Sequence, residues 1–486
     1  MNLAVNLYLV CGLCGWVLLF LALIMGLMVI PALVIGDGMA EVFFKSALVV
    51  SLCAGLLIRV GRRAVGDELR KRDGLAVVGL SWLMVSLLGA LPYLGSGVIF
   101  TFADALFESV SGFSTTGVTI LTSLAKLSPI FLFWRCLTLW LGGMGIIMLM
   151  LAVLPFFGLG GVHFFKNESS MGQERFKPRV VKMVKFLWLT YITLTILLLF
   201  LLRLGHLSWF EAVCYSFSIV STGGFVLHDN SISYYDSCYL ENISMLFMFL
   251  SSLNFVLYYQ IIQGNWRGIF LDSEVRTFVL IIGVCSLAIV IVLLGTGFYD
   301  APLTALRYAL FQVVSVISTT GFFSTDWEQW PSFCQGLLLA LFFVGGCSGS
   351  TSGGLKCVRW ILLFKGIRRT FSQYIHPRAV IGIHLEKTVV PEEVMIAVWS
   401  FSSIYIIIFI ISALVLAAFG LDLLTAFSAS ASALGNVGLG LQAVGPTDSF
   451  ASFPSLAKII LSLEMILGRL EVFSFLILFI PGFWKS

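Results

Sequence analysis

Ten apolar runs, each long enough to cross a lipid bilayer, dominate the chain and leave it few ways to fold. They lie at about 4–35, 42–59, 75–99, 128–160, 183–205, 239–262, 276–298, 335–364, 393–420 and 455–482. A spanning helix takes about 20 predominantly apolar residues. Composition agrees: 59% of the 486 residues are apolar and 11% charged, against about 25% charged in a soluble domain, and the mean hydropathy is +1.02. A soluble globular protein, a disordered chain and a disulfide scaffold are excluded. The expected fold is an all-α polytopic membrane protein. The first run lacks a basic start and a small-residue cleavage site, so it reads as a retained helix. Cys11 and Cys14 form a C-x-x-C with no second pair to complete a zinc site.

Charge placement sets the expected orientation. Most of the 29 Lys and Arg fall in alternate loops: Arg59 to Arg72, Lys166 to Lys185, Arg267 and Arg276, Lys356 to Lys387, and Lys485 near the end. The intervening loops at 226–240, 324–333 and 440–455 contain neither. The positive-inside rule then puts the basic loops and both termini in the cytoplasm. In a bacterium the location is the inner membrane.

Four shorter apolar stretches, at about 101–113, 208–220, 305–317 and 422–434, cannot span. All fall on the external side. They align without a gap as DALFESVSGFSTTGV (104–118), EAVCYSFSIVSTGGF (211–225), YALFQVVSVISTTGF (308–322) and TAFSASASALGNVGL (425–439). Ala recurs at 105, 212, 309 and 426, Ser at 111, 218, 315 and 432, and Gly at 117, 224, 321 and 438. The pattern of helix, short helix, glycine turn and helix is repeated four times. Two helices and a basic loop (1–74) precede it. The units are 75–165, 166–268, 269–387 and 388–486.

Non-helical backbone at membrane depth is tolerated only where it is buried or lines a cavity. A short helix entering from outside points its negative dipole end at the membrane centre, which favours a cation. Glycine permits positive φ and close carbonyl approach. Four such turns on one axis form a ring of carbonyl oxygens able to replace the water shell of an alkali cation. The candidate filter is Thr115, Thr116, Gly117 and Val118; Thr222, Gly223, Gly224 and Phe225; Thr319, Thr320, Gly321 and Phe322; and Asn436, Val437, Gly438 and Leu439. The first two residues of each set are the candidate ion ligands. Interfacial amphipathic helices are the competing reading, but they leave the register of the glycines unexplained.

The third unit's closing run is interrupted by GGCSGSTSGG at 345–354, too poor in helix formers to stay helical. It reads as an intramembrane loop that blocks the pore and moves to open it, with Gly345, Gly346, Gly349, Ser350, Thr351, Gly353 and Gly354 as gate residues. A plain kink is the bland alternative. A phosphate-binding loop is not matched, because Leu355 separates Gly354 from Lys356. Arg469 lies deep in the last run, beside Glu464 and Glu471. A buried charge there costs roughly 2.5–3.5 kcal/mol on insertion scales and faces a cavity or a partner. It either repels a cation or pairs with an acid such as Glu464. Arg135 reads as an interfacial anchor, and Asp104, Glu108 and Glu211 as acids at the outer mouth.

These residues resemble the Trk/Ktr/HKT potassium transporter family, and most closely its bacterial TrkH-type membrane subunits. The likeness runs over nearly the whole chain through FSTTGVT (113–119), GGMGI (142–146), STGGF (221–225), STTGF (318–322), GGCSGSTSGGLK (345–356), HPRAV (376–380) and GRLE (468–471). It implies four M1-P-M2 units around one pore, with Gly117, Gly224, Gly321 and Gly438 governing potassium selectivity. Glycine and not serine at 117 favours potassium. It places Arg469 on the cavity side, just below the filter, as part of the gate. It also implies a homodimer in the lipid bilayer and a TrkA-like cytoplasmic nucleotide-binding ring on the basic face. Gly435-Asn436-Val437-Gly438 departs from the pattern by lacking the Thr pair, so an asymmetric and less discriminating ring is expected.

No nucleophile elbow, Walker motif or dinucleotide fingerprint is present, so neither an enzyme nor an organic cofactor is expected, nor a nucleic-acid partner; the potassium ion is cargo. The membrane potential supplies about 2.3 kcal/mol per charge per 100 mV, enough for downhill uptake. Proton- or sodium-coupled symport is the alternative, with Glu464 and Glu471 as its deep acids.

Overall fold

Each of the four short stretches starts at a capping signal and stops at a residue in the left-handed region. In a computed structural model, which describes residues 5–64, 70–157, 176–386 and 388–484, these stretches are all helices. Of the basic residues counted above, Lys166, Arg175, Lys387 and Lys485 lie outside the described residues.

The chain opens with α1 (Leu7–Ile35), α2 (Met39–Gly61) and α3 (Lys71–Gly89). The first unit continues with α4 (Phe102–Phe113) and α5 (Pro129–Phe157), and the second is α6 (Phe176–Leu204), α7 (Trp209–Val220), α8 (Cys238–Ser251) and α9 (Phe255–Ile262). The third is α10 (Ser273–Gly295), α11 (Pro302–Ile317), α12 (Ser332–Leu341) and α13 (Cys357–Ile375). The fourth is α14 (Glu392–Ala418), α15 (Leu423–Gly435), α16 (Ser455–Arg469) and α17 (Val472–Leu476). A two-stranded ribbon pairs His384–Leu385 with Thr388–Val389.

The short helices α4, α7, α11 and α15 have 12, 12, 16 and 13 residues. At 1.5 Å per residue they reach about 18–24 Å, short of the hydrocarbon thickness of about 30 Å. Their starts follow capping chemistry: Thr101 accepts from the Asp104 amide, Ser208 and Glu211 form a reciprocal box, Pro302 takes the first turn, and Asp422 accepts from Leu424.

Burial is arranged as a bilayer demands. Large side chains such as Leu23, Leu52, Leu280 and Ile411 are exposed on the long helices, whereas Ser109, Ser111, Ser218, Ser315, Ser430 and Ser432 are fully buried around the short ones. Exposed apolar faces and polar groups gathered inside are what a hydrocarbon surround requires.

Two runs that read as single helices are broken. Residues 239–262 bend by 90° between α8 and α9, where Asn254 caps α9 by accepting from the Val256 amide at 2.9 Å. The last run breaks at Glu471, whose φ is 61°. The expected interruption of the third closing run is present between α12 and α13.

Candidate functional site

The four turns share one backbone geometry. Thr115, Thr222, Thr319 and Asn436 have φ of 52°, 52°, 57° and 53°, and Gly117, Gly224, Gly321 and Gly438 follow at 80°, 83°, 78° and 90°. The amides of Thr116, Gly223, Thr320 and Val437 donate back to the carbonyls of Ser111, Ser218, Ser315 and Ser432 at 2.9–3.0 Å. The recurring serine has a second task. Ser111, Ser218 and Ser315 donate their hydroxyls to the carbonyls of Val118, Phe225 and Phe322 at 2.6, 2.7 and 2.6 Å, which ties each returning strand to its own short helix. In the fourth unit Ser432 instead accepts from the Gly438 amide at 3.2 Å. The missing Thr pair therefore does not break the backbone symmetry. Asn436 takes the left-handed position, which asparagine tolerates better than a β-branched residue. Its side-chain amide donates to the Thr116 hydroxyl at 2.8 Å and the Met465 carbonyl at 2.9 Å.

The turns meet. A side chain on Gly117 would strike the carbonyl of Gly223, one on Gly224 that of Thr320, one on Gly321 that of Val437, and one on Gly438 that of Thr116. Each clash joins one unit to the next and the fourth closes on the first. The four glycines thus stand in a ring, each bare α-carbon packed on the neighbour's main-chain oxygen. Of the candidate ligands, Thr116, Gly223, Thr320 and Val437 offer the carbonyls that meet the neighbouring glycines, and Asn436 is joined to Thr116; Thr115, Thr222 and Thr319 precede them in their turns, and Val118, Phe225, Phe322 and Leu439 follow the glycines on the returning strands.

The loop between α12 and α13 lies against this ring. Its ends are stitched together: the Gly345 amide donates to Leu355 and the Cys357 amide to Gly346, at 2.8 and 3.1 Å. Ser350 and Thr351 are fully buried. The Gly353 amide donates to the Thr319 hydroxyl at 2.7 Å, and a side chain on Gly353 would meet Asn436. A side chain on Gly354 would press on the Gly435 carbonyl, and one on Gly349 on Asn254. The Thr351 hydroxyl reaches the carbonyls of Val220 and Ser251 at 3.2 and 3.0 Å. Arg469 donates to the Thr351 carbonyl at 2.6 Å. The loop therefore touches the second, third and fourth units directly beneath their turns. Arg469 is bound to it, not to Glu464, which accepts from Ser430 at 2.7 Å. Glu471 pairs with Arg359 at 2.8 Å.

Several charges sit differently from the sequence expectation. Arg135 is no interfacial anchor: it is 1% exposed and pairs with the fully buried Glu108 at 2.7 Å. Its guanidinium also donates to the Thr119 hydroxyl at 3.1 Å and stacks over Phe225 at 4.1 Å. Glu108 accepts from the Ile120 amide at 3.1 Å. This pair clamps the returning strands of units one and two from behind. Asp104 pairs with Lys458 at 2.6 Å, linking units one and four. Glu211 is tied to Ser208, Tyr235 and His228. The signal for Glu108 was in the sequence, since a carboxylate in the middle of a buried apolar helix implies a partner.

The fold is that of a helical membrane protein in which four backbone turns meet in a ring with a glycine-rich loop packed under it. Residues 40–486 match the TrkH family model, described as a cation transport protein. The chain is 39% identical to the Trk system potassium uptake protein TrkH of Salmonella typhimurium, over 96% of this chain and 98% of the relative. It is 34% identical to the Escherichia coli protein TrkG of the same description, over 97% and 98%. The crystal structure of the potassium transporter TrkH from Vibrio parahaemolyticus superposes with a TM-score of 0.90 at 36% identity, covering 99% of this chain and 100% of that one. The chain belongs to the TrkH family of cation transport proteins; it is a membrane transporter and not an enzyme.

Proposed function

We propose that this protein takes up potassium across the bacterial inner membrane through a gated pore. The four turns are the selectivity filter. The loop 345–354 and Arg469 form the gate, and the membrane potential drives the ion inward. Both termini and the basic segments face the cytoplasm, where a TrkA-like nucleotide-binding ring docks and controls the loop. The protein works as a homodimer in the lipid bilayer, each protomer carrying four pore repeats with the bounds given above.

The observation that carries this reading is the closed cycle of glycine-to-carbonyl contacts. Carbonyl rings exchange with a cation's hydration shell at small energetic cost when their spacing suits it. The names of the relatives supply the ion. Symport is the competing reading. Its deep acids, Glu464 and Glu471, are held by Ser430 and Arg359 rather than by the turns of the ring, which favours uncoupled flow.

The test is the reversal potential of the purified protein in vesicles under opposed potassium and sodium gradients, with and without the cytosolic partner. Wild type should follow the potassium gradient independently of pH. Gly117→Ser should move the reversal potential toward sodium. A current that needs a proton or sodium gradient would establish symport instead.

A further inference from the structure

The loop 345–354 has an attachment that its glycines and Arg469 do not account for. Glu274, in the first turn of α10, is 8% exposed. Its Oε1 accepts from the Ser348 amide at 2.7 Å, from the Ser348 hydroxyl at 3.2 Å and from the Val358 amide at 2.9 Å. Ser348 lies inside the loop, whereas Val358 lies beyond it in the first turn of α13. One carboxylate oxygen therefore gathers backbone donors from both sides of residues 349–357. The Cys357 thiol adds a contact to the Glu274 carbonyl at 3.8 Å.

The chemistry suits a catch that can be released. The Val358 amide is one of the unsatisfied donors at the start of a 19-residue helix, where negative charge is favoured. The Ser348 amide belongs to non-helical backbone and needs a partner. A buried carboxylate is tolerated only while hydrogen-bonded. All three groups are satisfied together only when the loop is folded against the start of α13. A loop that swings away from the ring loses the Ser348 bonds, the Val358 bond, or both. The same end of α10 reaches the basic face: the Ser273 amide donates to Glu386 at 3.2 Å. Glu274 thus stands between the loop and the segment 376–390, which follows α13 on that face.

We propose that Glu274 is the latch that holds the intramembrane loop shut, a positioning residue that acts through Ser348 and Val358. The latch rests on the gate reading given above. A movement of the segment carrying Glu386 shifts the start of α10 and withdraws the carboxylate. The second unit and Arg469 hold the loop at Gly349 and Thr351, and Glu274 joins Ser348 to the start of α13.

The full chain in vesicles without the cytosolic partner tests this by rubidium flux. Glu274→Ala should raise basal flux about tenfold, equivalent to about 1.4 kcal/mol. Glu274→Gln keeps an acceptor oxygen but not the charge and should raise it less. The potassium-to-sodium reversal potential should not move in either, because the ring is untouched. Deleting 349–353 should also raise flux, and Glu274→Ala should add nothing in that background. Flux that stays at the wild-type level in Glu274→Ala while the deletion raises it overturns the latch and leaves the gate reading standing. A further rise when Glu274→Ala is added to the deletion also overturns the latch, since Glu274 then acts elsewhere. A deletion without effect removes the gate and the latch together. Should Glu274→Ala fail to insert, the double variant E274C/S348C replaces it, made with the neighbouring Cys347 and Cys357 changed to serine so that no native thiol can pair with position 274. Oxidation should then suppress its flux and reduction restore it, with E274C alone insensitive; flux unchanged in the oxidised double variant overturns the proposal.

Discussion

Three of the four turns hold a threonine at positive φ, a conformation that β-branched residues rarely adopt. Such strain persists where surrounding contacts over-determine it. Here they are the serine bonds on one side and the neighbouring unit's glycine on the other. The sequence revealed the glycines because their register repeats, and it revealed the serines as a pattern without a role. It hid the left-handed threonines, since nothing in Ser-Thr-Thr-Gly distinguishes them from an extended strand. It also hid Arg135, because a partner 27 positions away is set by tertiary packing. Breaking a buried ion pair from one side leaves an uncompensated charge and costs roughly 3–5 kcal/mol. Arg135→Gln should therefore lower the melting temperature in detergent sharply and weaken potassium-over-sodium discrimination. Reversal potentials that stay put in the surviving protein would show that the clamp stabilises the strands without shaping the filter.

Among the helices, interruption by composition was readable and interruption by a single side chain was not. GGCSGSTSGG announces a break because so many poor helix formers stand together. Ser252-Leu253-Asn254 sits inside a run whose hydropathy is continuous, yet the chain turns there by 90°. Asn254 caps the next helix, and the Phe255 amide donates to Gly349 at 3.1 Å. The bend is thus paired with the loop of another unit, which no local signal encodes. The short helices were legible to within a few residues because their caps are local. Asn254→Ala should cost about 1 kcal/mol, as loss of an N-cap does, read as a lower melting temperature. Because the bend also holds Gly349, basal rubidium flux should rise in the same variant; an unaltered flux would mean that the cap is purely structural.

At the level of the whole molecule, units three and four are also joined through the loops that follow α11 and α15. Glu328 accepts from the Gln442 amide at the edge of a cavity of about 540 Å³ that Asp448 and Gln335 also line. Burial holds the Glu328 carboxyl above its ordinary range; the Gln442 amide pulls the other way, and Asp326 and Asp448 add to the rise. A carboxyl with a raised folded-state pKa contributes stability below its unfolded value, near 4.3, and loses it as pH rises through the folded one. Glu328→Gln imitates the protonated form. It should melt higher than wild type at pH 7 and indistinguishably from it near pH 4. A difference of the same size at both values would mean that ionisation of Glu328 is not the cause.

The circle of glycines has a consequence for how the proposed filter can be dissected. Its quarters are written separately along one polypeptide, so they can be altered singly, in neighbouring couples or in facing couples, which a tetramer of identical subunits does not allow. The three atoms nearest to a side chain on Gly117 all belong to the second unit. Residues in contact depart from additivity, and separated ones do not. Serine at 117 and 224 together should change permeation by less than the sum of the single effects, while serine at 117 and 321 should come closer to that sum. Equal behaviour of the two couples would mean that disturbance spreads through the ring as a unit instead of passing from each quarter to the one beside it.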